Sequence, residues 1–219
     1  MGNVSVVTGQ ADHAIARSER PRDPVAYLSE VLSSRVRAQV LPYLVARADE
    51  AFSLTQIARG IGLSVSSVQH ECYKLERLGI LQGRPVQGSR RYQFNRRSAP
   101  ANALIAFVIA VFDPRELLGM ALSELKSEGL QTAVLAGQIP PSTTDATYLI
   151  LVGDLSLDQL GIAQERVSSL LDLPADALHV AFFQPDQWRS HVESRNDFVT
   201  RLQALPQIAI VGSLDFIPT

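Results

Sequence analysis

Residues Ser53–Phe94 read SLTQIARGIGLSVSSVQHECYKLERLGILQGRPVQGSRRYQF, and the rest of the chain is organised around them. The stretch opens on Ser53-Leu54-Thr55-Gln56, a Ser-x-x-Gln capping box in which each end residue satisfies the other's amide. Leu54, Ile57 and Ala58 then recur at helical spacing. Gly60-Ile61-Gly62 stops this helix. A second helix opens at Ser64, whose hydroxyl can accept from the unpaired amides of the first turn, and it sets Val68, Cys72, Leu75 and Leu78 on one face, the face expected to be core. Gly79 ends it. Ile80-Leu81-Gln82 and Arg91-Tyr92-Gln93-Phe94 alternate like strands, separated by a Gly-, Pro- and Arg-bearing tip from Gly83 to Arg90.

Two short helices across a glycine turn, followed by a hairpin, is the order of a winged helix-turn-helix. The face of the second helix opposite its apolar stripe carries Ser66, Ser67, Gln69, His70, Tyr73 and Lys74. These are short or hydrogen-bonding groups crowded toward the helix start, where a recognition helix meets base edges in the major groove. Arg84, Arg90 and Arg91 of the tip suit a wing laid along phosphates. A hairpin and helix pair serving only as a core would not need a charge bias, yet Ser64 to Arg97 holds seven Lys/Arg against two acids, Glu71 and Glu76. Double-stranded DNA is the expected partner, with Ser66, Ser67, Gln69, His70, Tyr73, Lys74, Arg84, Arg90 and Arg91 as its contacts.

At 219 residues the chain is long enough for two domains, and 46% hydrophobic with 19% charged residues marks a globular protein. The net charge of −2 hides an asymmetry: residues 1–100 hold 14 Lys/Arg and 8 Asp/Glu, residues 101–219 hold 6 and 14. The front should seek polyanions and the rear should not. A single cysteine, Cys72, excludes an intramolecular disulfide and a CxxC metal site, as suits a reducing cytoplasm. No signal peptide is expected. The most apolar run, Ala103 to Phe112, is about half of the ~20 residues a bilayer requires, so no membrane span is expected either.

Residues 1–22 lack apolar periodicity and read as a disordered basic tail, or alternatively as a basic arm reaching a neighbouring groove. The winged helix-turn-helix domain is assigned to 23–98. It starts with a helix from Asp23-Pro24 to about Val31, followed by one capped at Ser33/Ser34 that buries Val36, Val40, Leu41, Leu44 and Val45, shows Arg35, Arg37 and Arg47, and bends or shortens at Pro42. Residues 99–128 are read as linker and dimerisation helices, because 101–112 are apolar nearly all round. They should be buried between domains or, preferably, in a dimer that presents two recognition helices roughly 34 Å apart. The second helix of the pair starts at Asp113-Pro114, buries Leu117, Leu118, Ala121, Leu122 and Leu125, and stops at Gly129. Residues 129–219 alternate strands (132–136, 148–152, 179–183, 208–211) with helices (157–171 and one or two over 186–205), a small α/β domain. The fold class is therefore α+β.

The runs VLSSRVRAQVLPYL, SLTQIARGIGLSVSSVQHECYKLERLGIL and GSRRYQFN, followed by TAVLAGQ, TYLILVGDLSLDQL, FFQPDQWRSHVESRNDFV and QIAIVGS, together resemble a bacterial and archaeal family. Its members join a winged-helix domain of the arsenic-repressor type to a minimal nucleotidyltransferase domain. The likeness covers about residues 30–217. It implies transcription regulation by the first half and a polymerase-β-like fold in the second.

Active members carry a Gly-Ser turn that cradles a triphosphate and an Asp-x-Asp pair that holds Mg²⁺. Here the turn reads Gly137-Gln138-Ile139-Pro140-Pro141-Ser142, and the carboxylate positions fall on Ala146 and Tyr148. Asp145 is one position early and on a strand would face the other way. Leu178–Phe183 supplies no carboxylate either. The α/β half is thus expected to be catalytically inactive, with no catalytic residue, metal or cofactor, and to serve dimerisation or the sensing of a small-molecule or nucleotide effector. The four histidines have no ligand-like spacing. Asp154, Asp158 and Glu165 read as a solvated helix face, and Trp188 as a core residue under the last helix. The expected function is a cytoplasmic, homodimeric, sequence-specific transcription regulator, a repressor. The alternative is a nucleotidyltransferase or antitoxin-type enzyme with a non-standard metal site.

Overall fold

The computed structural model describes residues 20–86, 88–138 and 146–214. Most of the expected basic tail and the segment 139–145, with Ser142 and Asp145, lie outside the described residues. The chain begins with α1 (Pro24–Val31) and α2 (Arg35–Val45), each with a side-chain cap: Asp23 accepts from the Ala26 amide and Ser34 from the Arg37 amide. α2 continues through Pro42, which has no amide to offer the Ala38 carbonyl, and ends at Val45. Then come β1 (Phe52–Ser53), α3 (Leu54–Ile61), α4 (Val65–Arg77), β2 (Leu81–Val86) and β3 (Ser89–Phe94). The Ser53/Gln56 capping box is formed in both directions. The three strands make an antiparallel sheet in the order β1-β3-β2, with Phe52 opposite Tyr92 and Leu81 opposite Phe94.

Val68, Cys72 and Leu75 of α4 are buried, as their spacing requires, but Leu78 is 63% exposed. The helix has ended by then: Gly79 takes a left-handed conformation (φ 70°) and turns the chain so that Ile80, not Leu78, enters the core. The face of α2 expected to show three arginines is also only partly solvent-facing. Arg35 is exposed, Arg37 is drawn into an ion pair, and Arg47 is 3% exposed because a later helix covers it.

That later segment is α5 (Ala99–Val111) followed by α6 (Pro114–Ser127). Ala101, Ile105, Val108, Val111, Phe112 and Leu117 join the hydrophobic core built by α1 to α4 and the wing sheet. α5, assigned from sequence to a linker or dimer seam, thus packs one face into the DNA-binding head itself. Away from that core it exposes Ala103, Ala106 and Ala110, flanked by Leu104, Phe107 and Ile109, which are half-buried and pack against the edge of the head core.

The second half is a three-layer body. β4 (Leu130–Gly137), β5 (Thr147–Gly153), α7 (Leu157–Leu171), β6 (Leu178–Phe183), α8 (Pro185–Glu193), α9 (Asp197–Ala204) and β7 (Gln207–Val211) form a four-stranded mixed sheet in the order β6-β5-β4-β7. β4 is antiparallel to β5 and β7, and β5 is parallel to β6. One face of this sheet packs on Leu118, Leu122 and Leu125 of α6 and Ala163 and Val167 of α7. The other packs on Trp188 of α8 and Val199 and Leu202 of α9, with Trp188 edge-on to Phe183. Among the described residues no helix is long and apolar enough to cross a membrane.

Head and body meet through buried charge. Arg166 of α7 donates to both carboxylate oxygens of Glu50 (2.6 and 3.0 Å), to Glu124 (3.1 Å) and to the Ala121 carbonyl. Arg47 donates to the Met120 carbonyl and the Ser123 hydroxyl and lies over the Tyr43 ring, 4.7 Å from its centroid. Burial pulls the Arg47 pKa down, with nearby Glu124 opposing it, whereas hydrogen bonds from Arg166 to Glu50 and Glu124 outweigh burial and raise that of Arg166.

Candidate nucleic-acid interface

α3 and α4 are joined by Gly62 in a left-handed conformation (φ 69°), which lets the chain reverse sharply while Ile57 and Ala58 of α3 stay in the core. α4 has two unlike faces. Val68, Cys72 and Leu75 are sealed inside, while Ser66, Gln69, His70, Tyr73 and Arg77 are exposed and Ser67 and Lys74 half-buried. Ser66, His70, Tyr73 and Arg77 follow one another at steps of four, three and four residues, so they line one continuous stripe along the helix. At its start the Ser64 hydroxyl caps the Ser67 amide and lies 2.8 Å from the Ser67 hydroxyl and 3.2 Å from that of Ser66. Ser66 and Ser67 are therefore partly engaged in closing the helix end, and Gln69 and His70 stand exposed to a ligand in front of it.

Burial lifts the Cys72 thiol to about 12, with Glu71 and Glu76 adding to the effect. That thiol is a core group.

The rotation of α4 is fixed from behind by a residue that sequence reading passed over. Glu71 is 3% exposed and takes a hydrogen bond from Arg37 Nε at 2.6 Å and another from Ser34 Oγ at 3.2 Å. This ties the recognition helix to the start of α2. An acid inside an otherwise apolar helix face was the signal available in the sequence.

The wing is longer than the sequence suggests, running to Val86 and from Ser89. The three expected contacts that lie in it separate. Arg84 is exposed and sits directly across the sheet from Arg91, two like charges with no acid between them, an arrangement that costs stability unless an anion lies over it. Arg91 is half-buried, donates to the Ala51 carbonyl at 3.5 Å, and leaves its Nε without a hydrogen-bond partner. Arg90 is instead bound to Glu76 at the end of α4, which raises its pKa, and Glu76 also accepts from the Gly83 amide. A Cβ at Gly83 would crowd the ends of both Glu76 and Arg90, so the latch packs directly over the bare glycine. Arg77, missed in the sequence reading, extends the stripe of α4 beside Tyr73 and Lys74.

Residues 38–85 match the IclR helix-turn-helix domain. The match runs from the middle of α2 through α3 and α4 into β2, and so covers the helix pair and the first strand of the wing. No curated protein matches the chain. The head is a DNA-binding helix-turn-helix domain, and the chain is a DNA-binding transcription regulator. The matched type is IclR, where the sequence resemblance had pointed to the arsenic-repressor type.

Proposed function

We propose that this chain is a cytoplasmic, sequence-specific repressor that binds duplex DNA as a homodimer, with α4 in the major groove and the wing on the flanking phosphates. The observation that carries this reading is the two-faced α4: a sealed apolar stripe behind, and Ser66, Gln69, His70, Tyr73, Lys74 and Arg77 in front. Gln69 and His70, with Ser66, Ser67 and Tyr73, read base edges. Lys74, Arg84 and Arg91 position the backbone, and Arg90, held by Glu76, steadies the wing that carries them.

The second copy is assigned to the small-residue face of α5, where Ala103, Ala106 and Ala110 are exposed beside Leu104, Phe107 and Ile109. Ala106→Arg should then halve the sedimenting mass and weaken operator binding together. A wild-type chain that sediments as a monomer on its operator would end the dimer assignment.

The body is read as a nucleotidyltransferase-like domain without catalysis. Supporting the fold are the antiparallel β4/β5 pair and the parallel β5/β6 pair. Supporting inactivity are Ala146 and Tyr148 where a metal-binding acid pair would stand. Ala146, just before β5, and Tyr148 within it line a cleft with Phe198 and Arg201 of α9. Transfer of label from a nucleoside triphosphate with Mg²⁺ or Mn²⁺ would refute inactivity.

The direct test is selection of bound sites from genomic DNA. Gln69→Ala with His70→Ala should cut the preference for the selected site by about 1–3 kcal/mol per lost base contact. Arg84→Ala should weaken all duplexes alike and lower the salt slope by about one. Unchanged affinity of both variants in low salt would overturn the assignment.

A further inference from the structure

Between the base of the wing and α7 lies a cleft of about 620 Å³, lined by Asp49, Arg96, Gln164, Glu165, Ser168 and Asp172. Three of these are acids and one is a base, so the cleft is negative on a molecule whose head is otherwise basic. Asp49 is already neutralised: Arg96 grips both its oxygens at 2.9 and 3.1 Å, and Ser169 of α7 donates to it as well. Glu165 and Asp172 have no ion-pair partner among the described residues.

A second observation points to a ligand. Ser168 is 5% exposed, lines the cleft, and its hydroxyl has no hydrogen-bond partner. A buried hydroxyl left unsatisfied costs about 1–3 kcal/mol, a cost removed when a donor arrives. The acids are spread along the cleft: among the described residues no three metal-type ligands are grouped closely enough to hold an ion. A compact metal ion does not match this layout, and a nucleotide has the wrong sign. An organic cation matches the charge.

We infer that this cleft binds a linear di- or polyamine, its ammonium groups meeting Glu165, Asp172 and Ser168 and competing with Arg96 for Asp49. The cleft touches the reader through two links. Asp49 holds Arg96, just beyond β3, and its carbonyl accepts from Gln93 within β3. An amine that displaces Arg96 therefore loosens the root of the wing. This second half rests on the DNA-binding reading; the binding event itself does not.

The test is calorimetric titration of the full chain, without DNA, by spermidine and 1,4-diaminobutane, with MgCl2 and ATP as comparison ligands. Saturable spermidine binding is expected, weakened at least about tenfold in the Glu165→Gln/Asp172→Asn variant. Ser168→Ala should weaken it while melting no lower than the wild type, because the lost hydroxyl had no partner. Hydrogen exchange over residues 89–96 should rise with spermidine, a readout free of the amine's own affinity for DNA. No saturable heat, equal binding by the double variant, or ATP binding in place of the amine would overturn the inference. Operator binding measured without amine tests the DNA-binding reading separately, so the two can fail independently.

Discussion

Glu71→Ala is the substitution that most directly probes how the reader is held. The carboxylate is 3% exposed and engages Arg37 at 2.6 Å and Ser34 at 3.2 Å, while the Arg37 side chain is 23% exposed. Removing one member of a fully buried pair costs about 3–5 kcal/mol, and the partial access of Arg37 to water lowers this to about 2 kcal/mol. For a chain of this size that corresponds to a melting temperature lower by about 4–8 °C. Differential scanning calorimetry of Glu71→Ala, Arg37→Ala and the double variant gives the coupling directly, and the double variant should lose much less than the sum of the singles. The DNA consequence is separable. With α4 freed to rotate, discrimination between operator and random duplex should fall while the salt slope stays constant, because no phosphate contact is lost. Additive single variants, or a Glu71→Ala protein melting within about 1 °C of wild type, would refute this account of the pair.

Other substitutions test other parts of the frame. Gly60→Ala would push its new methyl group into the Tyr43 ring and should cost about 1–3 kcal/mol by urea unfolding. Cys72, buried and lifted to about 12, should resist iodoacetamide at pH 8 until the protein unfolds, so labelling rate should track denaturant. Arg166→Met leaves Glu50 and Glu124 without their shared cation and should split one calorimetric transition into separate head and body transitions. Burial raises the Asp49 pKa, but hydrogen bonds from Arg96 and Ser169 outweigh it and hold the carboxyl below its usual range. A depressed folded value stabilises above the ordinary carboxylate pKa and is lost as pH falls through the folded one. Acid below about pH 4 should thus lower the melting temperature more in wild type than in Asp49→Asn.

Local signals in the sequence were enough to place most elements. The Asp23-Pro24 start, the Ser53/Gln56 box, the stop at Gly79 and helix 157–171 all follow from caps and periodicity, and each is formed within a residue or two of its expected place. What escaped depends on partners distant in sequence. Arg47 is polar and follows directly on a helix, so it reads as exposed, but Met120 of α6, more than seventy residues later, seals it. β1 is two residues long and exists because Tyr92 and Arg91 offer it an edge. α5 is apolar all round, which announces burial without saying against what. At the site, the outward stripe of α4 was legible because burial on a helix is periodic. The separate states of Arg84, Arg90 and Arg91 were not, since only the wing's register and the reach of Glu76 distinguish them.

The shared core of α5 with the head has a practical corollary for anyone wishing to isolate the reader. Trimming the gene after Ser98, where the wing is complete, would strip away Ala101, Ile105, Val108, Val111 and Phe112 and bare an oily scar on the remaining fragment. The autonomous piece should end beyond Leu117, and even then Arg47 would have lost Met120 and Ser123, the neighbours it was folded around.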